Sequence, residues 1–500
     1  MRRVILSIIF IVFTATICTT SCRYKPLPAP ANGSFPDSIA NIFLAKCTNA
    51  GCHNAASYQN AAGLLLDSWS HLFQGSVTGA EVVAYNTELS PLLYYCNFYD
   101  SSDIMVSDPG HLPTPLTSAE YMTLKRWIAA GAPDGSGNIP FASNPDTRQK
   151  IYLTISGCNL VAVIDAQSHQ IMRYIPMGTY PGNQSLHDIT VSNDGMYAYT
   201  SLFDGTILQK IDTRTDTVVA YANLAPLSIN GYGGWGIIMM APADTALMVS
   251  GWVQAGSAVT INTSSMQINE NLSLDILTMG GGTTSLLPSP HGLACNPTFD
   301  TFYATLSTGN AVAKFWVGTS GRLDPPVNIP LSSGSTPSDP HQIQMTPDYS
   351  RYFVDGQLSN NVYVLNRSND SVIKVIPVGA YPQEMAISTS KNYLFVVCLN
   401  DATNPTPGSL GSVYVIDYNT LEVVTVLYGD FYQPHDIAVD EQDGLLYICS
   451  TNQNGPPPHH VLGNCSGRDG WYTVYDLNTL TMYDYRYQTP VFPYAITNRF

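Results

Sequence analysis

The sequence predicts a mainly β chain, a seven-bladed β-propeller preceded by a small α-helical domain, and three observations predict it. A unit of short β-branched strands returns seven times between residues 148 and 500. Before residue 141 the apolar residues instead follow helical spacing and end on helix-stop signals. The composition agrees, with 31 Tyr among 500 residues and 21 Lys plus Arg in all, a balance that favours strands. Charged residues make up 12% and hydrophobic residues 45%, so the chain can bury a large core and wholesale disorder is excluded. The length calls for more than one domain. A net charge of −16 makes a poor partner for DNA, RNA or anionic lipid, and nucleic-acid binding is excluded on that ground.

Taken from the start, Arg2 and Arg3 precede an apolar run from Val4 to Ile17, followed by the small residues of TTSC, Thr19 to Cys22. The run is shorter than the ~20 residues a membrane-spanning helix needs, so residues 1–21 read as a signal peptide. Small residues ending at a Cys resemble a lipoprotein signal, which implies acylation of Cys22, although Thr19 stands where such signals carry Leu. Cleavage without lipid is the alternative. Residues 22–35 are Pro-rich and read as a semi-rigid tether. The expected location is the bacterial cell envelope, lipid-anchored and facing the periplasm or exterior, with the membrane touched only through that anchor. Disulfides and covalent haem can both form in that compartment.

Residues 36–140 are expected to form the helical domain. Helical spacing at Ile39, Ile42 and Phe43 leads into Cys47, Cys52 and His53. Covalent haem needs two thiols for its vinyl groups and a His directly after the second, held beneath the iron. The usual spacing is Cys-x2-Cys-His; here it is Cys-x4-Cys-His. The same thiols suit a short disulfide loop equally well. At the other end, Thr117 or Ser118 is the expected N-cap of a helix with Glu120 in its first turn, a stop at Gly131 and an apolar face of Tyr121, Leu124, Trp127 and Ile128.

The stretches AAGLLLDSWSHLFQG and LTSAEYMTLKRWIAAGAP, together with the Cys-x4-Cys-His, resemble the small cytochrome c domains fused to other modules in exported bacterial proteins. The resemblance implies haem c on Cys47, Cys52 and His53, with His53 proximal. Such domains carry a Met before a Pro as sixth ligand, where this chain has Leu112; His111 is adjacent and Met105 lies seven residues earlier. Ligation by His111 would give bis-His iron of lowered potential, whereas without either residue the iron would be five-coordinate. His111 as a solvated loop imidazole is the alternative, and His71 is expected on a helix surface.

The repeat of residues 148–500 reads as four strands per unit, one of them V-x-V-[IL]-[DN]. Its first strands open at His187, Trp235, His291, His341, Gln383, His435 and Tyr494. The last leaves room for one strand, PYAITNRF, while residues 148–176 supply three strands without a first, so the chain end is expected to complete the first sheet and close the ring. Motifs such as VLNRSNDSVIKVIPVGAYPQEMAIS resemble the YVTN-repeat propeller family of exported bacterial proteins, a likeness that implies fold and not activity.

Four of these seven positions are His, and the long loop of the His435 unit adds His459 and His460. The expectation is six imidazoles at one mouth of the channel, suited to copper or zinc. Locally, SPHGLACNP at His291 resembles nitrous oxide reductase, but Trp235, Gln383 and Tyr494 depart from a His ring and no Cys-rich copper domain is present, so that activity is not carried across. The preferred reading is that the imidazoles bond neighbouring backbone and tie the blades together, ahead of a metal site or contact with a polar substrate. Cys449 could pair with Cys465, as could Cys158; Cys295 and Cys398 are expected inside strands. GYGGWG and MGGGTT open no helix after a strand, and neither Gly-x-Ser-x-Gly nor HExxH occurs. The function expected is electron transfer to a redox partner protein of the envelope, with a propeller that docks that partner or a substrate. A copper or zinc oxidoreductase fed by the haem and a non-redox scaffold are the rivals, and whether the chain is an enzyme is open.

Overall fold

A computed structural model describes residues 32–96, 115–178, 184–227, 234–252, 256–274, 287–332, 334, 337–452, 465 and 470–499. Seven antiparallel sheets follow one another along the chain from residue 150. Their first strands lie side by side around the axis: Leu186–Val191, Trp235–Met240, Pro290–Cys295, Pro340–Met345, Pro382–Ser388, Pro434–Asp440 and Pro493–Arg499. We number the blades one to seven in that order. Middle strands are buried on both faces because a blade covers each side, and outer strands such as Ser371–Pro377 alternate toward solvent. The core therefore lies between blades; Phe353, Val362 and Val364 of blade four, for example, meet Met385, Leu394 and Val396 of blade five. The Asp or Asn ending each V-x-V-[IL]-[DN] strand caps the next turn, Asp212 accepting from Arg214 N–H at 2.9 Å and Asn366 from Ser368 N–H at 2.9 Å.

Blade seven closes as expected. Its strands β1 (Lys150–Ile155), β2 (Leu160–Asp165) and β3 (Ile171–Pro176) are completed by Pro493–Arg499, with Leu153 opposite Ile496. Fully buried Lys150 donates to Asp216 Oδ2 of blade one at 2.8 Å and lies 3.1 Å from Asp146 Oδ2; Tyr152 donates to Asp216 Oδ1 at 2.6 Å. From the chain end, Arg499 donates to the carbonyls of Gly195, Asp146 and Arg148. Charge-assisted bonds thus weld the two chain ends to blade one. Blade two departs from expectation: its sheet has three strands, and residues 266–274 replace the fourth with isolated bridges at Ile268 and Leu274.

The N-terminal described residues hold short helices around a separate core: α1 (Asp37–Ile42), which runs into a π-helical turn to Cys47, α2 (Trp69–Leu72), α3 (Pro91–Cys96) and α4 (Ser118–Ala129). Phe35, at the end of the Pro-rich stretch, is buried in this core against Phe43 and Trp127, with ring centroids 5.0 and 6.3 Å away. The α4 face is the expected one, Tyr121, Leu124, Trp127 and Ile128. Thr117 caps it and forms a capping box with Glu120. At the stop, Gly131 has φ +96°, and a Cβ there would lie 2.5 Å from the Tyr85 ring. His71 lies on α2 beside Asp67, half-exposed. The unit meets blade six through Gln488 N–H to Thr78 O, 2.9 Å, borders Ile171 and Tyr174 of blade seven beside Val83 and Pro91, and packs Phe73 edge-on against Phe141 of the connecting segment.

Two outcomes follow. Asp216→Ala leaves the Lys150 ammonium buried with one of its two carboxylates, and should cost about 3 kcal/mol of stability, read as a lowered denaturation midpoint. Glu120 is held down at about 2 by the Lys46 ammonium and the Thr117 donors. Its contribution is therefore present above the ordinary carboxyl range and lost as pH falls through about 2. Glu120→Gln should lower the melting temperature of the helical unit at pH 7 and narrow the gap from wild type as the pH approaches 2.

Candidate functional site

Each inner strand slips register against its neighbour where it enters the channel: between Leu186 and Ile189, Trp235 and Ile238, Pro290 and Leu293, Pro340 and Ile343, Pro382 and Met385, Pro434 and Asp436, and opposite Leu153/Ile155 in blade seven. A β-bulge at these points lets consecutive residues face the axis, as His187 and Asp188, His341 and Gln342, Gln383 and Glu384, and His435 and Asp436 do. The residue before each strand (Ser185, Gly234, Ser289, Asp339, Tyr381, Gln433, Phe492) has positive φ, so all seven chains enter by the same left-handed step. The upper layer of the ring is His187, Gly236, His291, His341, Gln383, His435 and Tyr494. In blade two the expected Trp235 is one place early. It aligns with Leu186 and Pro290 in register and is buried between blades one and two, leaving Gly236 at the ring. Without a side chain there, the His187 and His291 rings approach to 5.5 Å across blade two.

The imidazoles form a plug. His291 and His341 ring centroids are 3.7 Å apart, as are those of His435 and Tyr494, and His187 lies 4.9 Å from Tyr494. Nδ1–H of His291 donates to His341 O (3.2 Å), that of His341 to Gln383 O (2.8 Å) and that of His435 to Tyr494 O (3.0 Å). Each bond runs to the next blade. Because a carbonyl only accepts, these bonds place the proton on Nδ1 and leave Nε2 with the lone pair. His187 lacks this tie: its Nδ1 is buried without a partner, and its Nε2 is 3.4 Å from the Tyr494 hydroxyl. Burial drives all four down, His187 to about 3, His341 to about 4, and His291 and His435 well below the ordinary imidazole value. Neutral imidazole is the ligand form.

One residue further along lies a second layer that sequence reasoning missed: Asp188, Gln342, Glu384 and Asp436. Asp188 accepts from Ile189 and Ile238 N–H, and Asp436 from Ile437 and Ile496 N–H, each spanning two blades. Gln342 Nε2 donates to Glu384 Oε2, and Asp355 Oδ1 accepts from Gln342 N–H. Burial pushes Asp188 up to about 6 and raises Asp436, Glu384 and Asp355, with repulsion from Asp188 adding to it for Asp436, from Asp436, Asp188 and Asp355 for Glu384, and from Asp339 for Asp355. Both layers are thus driven toward their uncharged forms by the loss of water. His291, His341 and Glu384 bring ligand atoms within 4.8 Å of one another and could hold a metal ion. Above the plug is a mouth cavity of about 460 Å³ walled by Phe203, Trp252, Tyr381, Phe492 and Asp339; below it a cavity of about 600 Å³ carries the carboxyls. Thr451, where the long loop of blade six begins, lines the mouth; His459 and His460 lie outside the described residues.

In the helical unit, His53 Nδ1–H donates to Leu64 O at 3.0 Å, and His53 and Cys47 border a pocket of about 120 Å³ with Leu64, Leu66, Leu92 and Cys96. Burial pushes the Cys47 thiol up to about 12, the nearby Cys52 adding to it, and Cys96 is raised by burial and by Cys47. The thiol and imidazole chemistry fits a c-type haem, although the pocket is smaller than a porphyrin. Cys96 had no motif to mark it. Cys22, Met105 and His111 lie outside the described residues. In the propeller, buried Cys449 donates to Tyr494 O and is committed to the channel wall, whereas Cys465 Sγ lies 3.7 Å from Gly157 O, next to Cys158 in the chain.

No family model matches the chain, and no curated protein matches it. Among solved structures, it is similar to a protein of unknown function from Desulfotomaculum acetoxidans DSM 771, at TM-score 0.50 and 14% identity over 70% of this chain and 100% of that one. Kuenenia stuttgartiensis hydrazine synthase gives TM-score 0.47 and 16% identity over 64% and 93% of the two chains. The dihydro-haem d1 dehydrogenase NirN gives 0.44 and 14% over 83% and 93%. The first of these likenesses supports the propeller fold.

The ties between blades can be tested apart from any ligand. Thr305 Oγ1 accepts from Gly292 N–H and donates to His341 O, both at 2.7 Å. Thr305→Val keeps the shape, strands the Gly292 donor, and should destabilise the protein by about 1–3 kcal/mol in chemical denaturation.

Proposed function

We propose that the chain is a c-type haem electron carrier of the bacterial envelope, anchored through Cys22, whose propeller presents its channel mouth to a redox partner or polar substrate. The observation that carries this reading is the His53–Leu64 bond beside Cys47: it holds the imidazole with its Nδ1 proton on a backbone carbonyl at the edge of a pocket that Cys47 also lines. Cys47 and Cys52 would hold the group through thioethers, and His111 is the first choice for the distal side, with Met105 second. When bound, haem supplies a one-electron couple whose potential depends on that sixth ligand. Leu64, Leu66 and Leu92 would keep water from the proximal face, and the Phe35–Phe43–Trp127 cluster holds α1 and α4 together around it. The propeller mouth offers aromatic walls and, among the described residues lining it, no Lys or Arg. That surface suits a neutral or cationic partner group.

Expressed to the periplasm of a host that matures c-type cytochromes, the wild-type protein should keep one haem through denaturation, read by haem staining and by mass. Cys47→Ser/Cys52→Ser should be colourless, and His53→Ala should lose the low-spin spectrum. A colourless wild type whose mass shows Cys47 in a disulfide would overturn the proposal in favour of the scaffold reading.

A further inference from the structure

We infer that the propeller axis is itself a metal centre, in which His291, His341 and Glu384 bind a divalent ion of the zinc class with an N2O donor set. This goes beyond the haem reading and does not depend on it. Three successive blades supply the three ligands, and their donor atoms already lie within 4.8 Å of one another. Donors bound to zinc at about 2.0–2.1 Å stand roughly 3.3 Å apart, so rotations that bring the donor atoms together by up to about 1.5 Å complete the set. Both imidazoles are aimed from behind, with Nδ1 bonded to the next blade's carbonyl. Glu384 has Oε2 taken by the Gln342 amide and Oε1 4.0 Å from His341 Nδ1, so a turn of the His341 ring is part of completing the set. Such outer bonds are what fix ligands in metal sites.

Charge and unmet valence point the same way. Asp188, Glu384 and Asp436 face one cavity, and no Lys or Arg lines that cavity or the mouth among the described residues. A bound cation there would favour the carboxylate forms that burial alone disfavours. Beside it, His187 Nδ1 and Asp355 Oδ2 are buried with nothing to bond. Glu384 borders the lower cavity, while His291 and His341 border the mouth, so an ion between them sits in the wall and is reached by water or substrate from the mouth. Three protein ligands and an open fourth position is the arrangement of a catalytic rather than a structural zinc site.

The experiment uses the full-length protein, stripped with a chelator, incubated with Zn²⁺ alone, gel-filtered and measured for zinc by mass spectrometry. Wild type should retain one zinc per chain. Absorption at the zinc edge should show two imidazoles and oxygen donors at about 2.0–2.1 Å. Glu384→Gln, which keeps the shape of the side chain, and His291→Asn should each bind zinc at least tenfold more weakly while melting as cooperatively as the stripped wild type. Failure of wild type to retain zinc, or equal retention by both variants, would overturn the inference and leave the imidazoles as ties between blades. Because zinc and not iron is counted, the result stands whether or not haem is present.

Discussion

A ring of seven sheets closes only if the last strand pairs with the first sheet, and everything at the axis depends on that pairing. Leu153 opposite Ile496 brings residue 494 into the same circle as residue 187. Without it Tyr494 could not pack on His435, and Asp436 would lose the Ile496 N–H that it accepts. The buried Lys150–Asp216–Asp146 group and the three carbonyl bonds of Arg499 hold this seam. Paired charges in such a place satisfy one another; unpaired they would open it.

Around the axis, tying the blades and preparing a site are one act. The bulge in each inner strand frees backbone groups, which are satisfied by the neighbouring blade: imidazole Nδ1 to carbonyl, carboxylate to N–H, and the hydroxyls of Ser201 and Thr305 to both. The same bonds fix the imidazole tautomer and the direction of its lone pair. For His291 the Nδ1 bond to His341 O keeps Nε2 for a ligand, whereas at His341 the nitrogen facing Glu384 is the same Nδ1 that bonds Gln383 O, so a ligand role there takes a turn of the ring.

The helical unit repeats this device on a smaller scale, with His53 Nδ1 held by Leu64 O. It lies on blades six and seven, away from the axis, so the two candidate centres are separate pieces of chemistry on one chain.

From residue pattern alone one could read the blade number, the closing strand, and the cap, face and stop of α4, because these rest on local periodicity and turn chemistry repeated down the chain. Cys47, His53 and the four ring histidines were legible for the same reason, as marked residue types at marked positions. What only the tertiary structure decided was the layer of Asp188, Glu384 and Asp436. In a regular strand the residue after an inward one points outward, and nothing in the repeat announces a bulge that turns both inward. The same one-residue ambiguity misplaced Trp235 for Gly236. Cys96 and the irregular edge of blade two were equally hidden, since they depend on what lies across space and not on what is adjacent in sequence.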